Sequence, residues 1–182
     1  MDASRSQVPL YRFFIGLAEY TFQTKLGIAD PPLIDYIAEL LSRFVHCDAI
    51  YKVRNPTGER LFQLAEMLME AEARRGDPKR EVHRHIGDFT LFWAGVYPEA
   101  LRGAKRKAQL DFFGDYCQQG KRSYYIASTL RTDDNDEQSD VLERLSHDFE
   151  LCAYGLGELR REWEQSDRPP EQDGRAKPYL IE

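Results

Sequence analysis

An all-α fold is what this sequence predicts: an elongated, mainly antiparallel bundle of about five to six helices with no sheet. Three observations carry that expectation. Apolar residues recur at three- and four-residue spacing through most of the chain, no segment alternates apolar and polar residues as a half-buried strand would, and the helix-opening pair Asp-Pro occurs at 30–31 and again at 77–78. The links between the periodic segments are mostly short, which favours antiparallel neighbours. The expected organisation is a flexible N-terminus at 1–7, a single helical domain at 8–165 and a polar, proline-containing mobile tail at 166–182.

The first helix is expected over 8–27. Leu10, Phe13, Phe14, Leu17, Ala18, Tyr20 and Phe22 cover more than half of its girth, so it is buried on several sides, and Gly27 closes it. Asp30-Pro31 opens the second, to about Ala49, with Asp as N-cap and Pro at the first helical position; Leu33, Ile34, Ile37, Leu40, Leu41, Phe44 and Val45 form its inner face. Asn55-Pro56-Thr57-Gly58 is a turn, leading into a third helix at about 58–75 that Gly76 ends. Asp77-Pro78 opens a fourth, polar for two turns and then apolar nearly all round from Ile86 to Tyr97, which places its second half at the centre of the fold. A fifth helix follows at about 105–131. The sixth, about 138–165, carries Leu142, Leu145, Phe149, Cys152, Leu156 and Leu159 at heptad-like spacing, behind five carboxylates crowded into residues 133–140 that favour its N-terminal dipole.

Composition excludes several classes. The chain has 182 residues with 25 Lys and Arg against 31 Asp and Glu, a formal net charge of −6, which argues against a general nucleic-acid binder. Residues 1–7 lack the basic and apolar parts of a secretory signal, so a cytoplasmic location is expected. The longest apolar-dominated stretch, 86–97, contains Asp88 and is too short to cross a bilayer, so no membrane role is expected. Cys47, Cys117 and Cys152 are odd in number, far apart and without C-x-x-C, which fits buried thiols on apolar stripes. Neither phosphate-loop pattern occurs, no G-x-S-x-G frames a serine, and H-E-x-x-H is absent, so no cofactor is called for.

The sharpest constellation is Glu81, His85 and Asp88. Spacings of four and three put them on one helical face that runs on into Phe92, so a polar row enters the apolar half of the helix. A carboxylate beside an imidazole suits proton transfer or metal ligation; alternatively Asp88 bonds a Tyr or Arg of a neighbouring helix and fixes packing. Glu143, His147 and Glu150 repeat the pattern, but opposite their helix's apolar stripe, and neither row has the Glu-x-x-His spacing of a di-iron bundle. Two basic clusters, Arg102/Lys105/Arg106/Lys107 and Lys121/Arg122, lie about 20 Å apart along a helix and make small patches with salt pairs to acidic helices. Aromatic residues make up 12% of the chain, and a bundle cannot bury so many tyrosine hydroxyls in dry core, so some line an interface or a cavity.

The expected function is binding or assembly, through self-association as a homodimer or through a protein partner. The alternative is a metal- or small-molecule-binding helical enzyme with Glu81, His85 and Asp88 at its site.

Overall fold

The computed structural model describes residues 3–105, 112–130 and 136–166. Its helices are α1 (Ala3–Glu19), α2 (Pro31–Phe44), α3 (Cys47–Ile50), α4 (Leu64–Ala73), α5 (Gly76–Val96), α6 (Pro98–Lys105), α7 (Phe112–Thr129), α8 (Asp136–His147) and α9 (Phe149–Ser166). Among the described residues there is no strand beyond a single antiparallel bridge between Arg54 and Arg60, so the all-α class stands. None of the described helices is long and apolar enough to cross a membrane.

The helices outnumber the expected five to six because local chemistry interrupts the periodic segments, and Phe13, Tyr20 and Val45, expected on inner faces, are exposed. The first begins at Ala3, inside the expected flexible stretch, and widens into a π-helical turn at Tyr20–Lys25. Within that turn Phe22 is fully buried, its ring so near Gly155 of α9 that a Cβ there would lie 2.5 Å away. The second segment starts as expected: the Asp30 carboxylate accepts from the Leu33 N–H at 3.2 Å, with proline in the first turn. It stops at Phe44, and α3 is a separate single turn.

The third helix begins six residues later than the turn signal suggested. Asn55 Oδ1 accepts from the N–H groups of Thr57 and Glu59, and Leu61 donates back to the Val53 carbonyl, so 53–61 folds on itself instead of starting a helix. Glu66 then accepts from the N–H groups of Phe62 and Gln63 and opens α4 at Leu64. Only Arg74 and Arg75 separate α4 from α5, a tight reversal completed by Gly76 at a φ of +57°, where an L side chain is strained. The Asp77 cap expected for α5 is not formed; no side chain caps that end. The long last segment breaks at Asp148, between α8 and α9, yet Leu142, Leu145, Phe149, Cys152, Leu156 and Leu159 are all buried on both sides of the break. Cys117 and Cys152 are buried, as expected for cysteines on apolar stripes. The tail beyond Ser166 and the side chains of Arg102, Lys105, Arg106 and Lys107 lie outside the described residues.

The centre is α5, which packs against α2, α4, α6, α7 and α9. Its second half is buried except for the partly exposed Trp93, as the continuous apolar run predicted. Two glycines bring α5 and α7 into close approach. A Cβ on Gly87 would lie 2.5 Å from the Tyr124 ring, and one on Gly120 would lie 2.3 Å from Thr90 Oγ1 and 2.6 Å from the Phe149 ring. Alanine would favour an isolated helix by about 1 kcal/mol over glycine. At Gly120 that gain is outweighed, because Thr90 and Phe149 are both fully buried and have no free space to yield. Gly120→Ala is therefore expected to lower the unfolding free energy by about 1–2 kcal/mol in a urea titration; a variant as stable as the parent would show that α7 can shift away at no cost.

Candidate functional site

The face of α5 that carries the polar row does bury Asp88 completely, and the surrounding helices supply its partners. Tyr36 of α2 donates to Asp88 Oδ1 at 2.6 Å, Tyr124 of α7 donates to the same oxygen at 2.9 Å, and Arg43 of α2 donates from Nη2 to Oδ2 at 3.1 Å. One carboxylate thus joins three helices. Burial alone would raise its pKa, but Arg43, Arg84 and the Tyr36 hydrogen bond outweigh it and hold the pKa below the ordinary aspartate value. Burial next to that negative charge pushes the Tyr36 and Tyr124 hydroxyls well above theirs. The group is an ionised aspartate gripped by two neutral phenols and a guanidinium.

His85 is fully buried but bonds in another direction, Nε2 lying 2.9 Å from the Ile50 carbonyl. A carbonyl only accepts, so the ring proton sits on Nε2 and Nδ1 keeps its lone pair, which meets no hydrogen-bond partner. Burial lowers the His85 pKa to about 4 against the attraction of Asp88. Glu81, the outermost member of the row, is partly exposed and pairs with Arg84 at 2.8 Å and Arg80 at 3.4 Å. In the second row, His147 is 87% exposed and bonded to its own neighbour Asp148, Glu143 is exposed, and Glu150 pairs with Lys121 across to α7. That last pair ties one of the basic clusters to an acidic helix. Among the described residues no group of three or more His, Cys, Asp or Glu side chains is arranged to hold a metal ion.

The concavity lies elsewhere, at one end of α5. A half-enclosed groove of 410 Å³ opens between α1, α2, α3, α5 and α9. Phe14, Phe44, Phe92, Trp93, Tyr97 and Trp163 wall it, with Leu41, Leu156 and Leu159 among the aliphatic residues between the rings. The rings meet edge to face, Phe14 with Trp163 at 5.4 Å and Phe44 with Phe92 at 5.2 Å between centroids, which stiffens the wall. Both tryptophans of the chain therefore stand in one groove.

No protein-family model, curated protein or solved structure matches this chain.

At the rim, Arg160 of α9 donates to the Val96 carbonyl that α5 leaves unsatisfied at its C-terminus, pairs with Glu99 at 2.6 Å and Glu164 at 2.7 Å, and lies 4.8 Å from the Tyr97 ring centroid. The exposed Val45 and Tyr97 continue the apolar surface outward. Trp93 also lines a second, shallower trough of 510 Å³ beside α4, α6 and α7, and its buried Nε1–H has no acceptor. The tyrosine content points to an interface or a cavity; the aromatic walls of this groove are phenylalanine and tryptophan with a single tyrosine, Tyr97, while Tyr20, Tyr125 and Tyr154 are exposed. The signal available was the aromatic surplus of the first and fourth segments, and it did not say which rings would face a void.

Proposed function

We propose that the protein is a non-catalytic binding protein whose aromatic groove takes up a small apolar molecule. The observation behind this reading is the groove itself: 410 Å³ lies within the ordinary range for small-ligand sites, and the wall is apolar with few polar groups at one edge. The titratable cluster at Asp88, by contrast, is filled by its own tyrosines and arginine. Enclosing an apolar body against rigid rings gains roughly 25 cal/mol per Å² of area removed from water, and the preformed walls lose little side-chain freedom on binding.

The test is titration with N-phenyl-1-naphthylamine, a neutral dye that brightens in apolar surroundings, against the full chain and against Val45→Trp, which crowds the mouth from an already exposed position. Saturable one-to-one uptake, weakened about tenfold or more in the variant, is the expected result, a change of roughly 1.4 kcal/mol. Uptake that never saturates, or that Val45→Trp leaves unchanged, removes the groove reading.

Self-association is the second reading, favoured by large apolar side chains left in solvent beside α4, Phe62 at 60% and Met69 at 75% exposed. A native mass spectrum reports subunit number and bound mass together. A dimer that Met69→Lys dissociates would support this reading, and a monomer at all concentrations would end it.

A further inference from the structure

We infer that the ligand of the groove is an apolar cation, a hydrophobic amine, and not a fatty or aromatic acid. This inference rests on the groove being a ligand site. Its first support is the wall: Phe44, Phe92, Trp93, Tyr97 and Trp163 present π systems, and ring faces attract ammonium and guanidinium groups. Arg160 already uses one of them, its guanidinium lying over Tyr97 at 4.8 Å.

The second support is the field at the mouth. Two helices end there: α2 at Phe44 and α5 at Val96, the last residue of each lining the groove. Helix C-termini carry partial negative charge on their unsatisfied carbonyls. The opposing positive end is that of α6, which starts at Pro98 and bears Glu99 in its first turn. Glu99 and Glu164 both bind Arg160, so these three rim side chains sum to one negative charge. A carboxylate entering the groove would face two carboxylates and the C-terminal ends of α2 and α5, the Val96 carbonyl being bonded to Arg160. An ammonium would find favourable charge outside and ring faces inside.

Three probes with one apolar body separate the possibilities: 1-adamantanamine, 1-adamantanol and 1-adamantanecarboxylate, cationic, neutral and anionic at neutral pH. None absorbs where tryptophan does, so Trp93 and Trp163 fluorescence follows each titration from inside the site. The amine is expected to bind tightest, with the carboxylate about tenfold weaker or more, and added salt should narrow the gap. Glu99→Gln combined with Glu164→Gln leaves Arg160 without these two carboxylates and should move the preference toward the carboxylate, while the alcohol binds as before. Alcohol or carboxylate binding as tightly as the amine to the parent protein overturns the charge assignment and leaves the groove reading standing. No response to any of the three overturns both.

Discussion

Asp88→Ala is expected to cost about 3–5 kcal/mol of stability. The Tyr36 and Tyr124 hydroxyls would lose their common acceptor in a place where water does not reach, since both rings are buried. An unsatisfied buried donor costs roughly 1–3 kcal/mol. Arg43 adds less than a fully buried partner would, because its side chain is 30% exposed and can turn outward to water. Against a total stability of about 5–15 kcal/mol, such a loss leaves a marginal protein. Urea unfolding followed by circular dichroism measures it. Tyr36→Phe and Tyr124→Phe, each removing one donor while Asp88 keeps the other bonds, should cost about 1 kcal/mol apiece. If Asp88→Ala costs no more than either of these, the three-helix junction is not what holds α2, α5 and α7 together.

Acid should weaken the protein well before its carboxylates titrate. His85 is neutral in the folded state because burial disfavours the imidazolium and the Ile50 carbonyl fixes the single proton on Nε2. Its folded pKa of about 4 lies below the ordinary 6.5, so between those values the unfolded chain takes up a proton that the folded chain refuses. Stability is then complete above pH 6.5 and falls as the pH drops toward 4, by up to about 3 kcal/mol. His83, also lowered by burial, works in the same direction. Asp88 has the same sign in a lower window: its depressed pKa contributes stability above the unfolded value of 3.8 that is lost as pH falls through the folded one. Urea midpoints at pH 7.5 and pH 5 should differ clearly for the parent and much less for His85→Gln, which keeps a donor for Ile50 without a titrating ring. An equal slope in both proteins would show that His85 is protonated inside the fold.

Local signals in the sequence resolved well where the deciding contact is itself local. Asp30 caps α2 through a bond three residues away, and the stripe from Leu142 to Leu159 is buried throughout. The same stripe hid the break at Asp148, because apolar spacing passes across a one-residue interruption undisturbed. The burial of Asp88 follows from its place on an apolar helix face. Its partners do not, since Tyr36 and Tyr124 are 52 and 36 residues distant and periodicity carries no information about which turn of one helix meets which turn of another. The groove was the least legible feature. Each of its wall residues reads as ordinary core, and no single position records that the space between them is left unfilled.

The walls of that groove join the first described helix to the last: Phe14 of α1 meets Trp163 of α9, and Lys25 pairs with Glu162. During synthesis α1, α2 and α5 emerge long before α9 does, so a nascent chain can assemble the Asp88 junction from α2, α5 and α7 while Phe14, Phe92 and Trp93 still lack their cover. Contacts of such long sequence separation form late, after the loop they close has been ordered. Among the described helices, the aromatic groove is thus the part expected to close last.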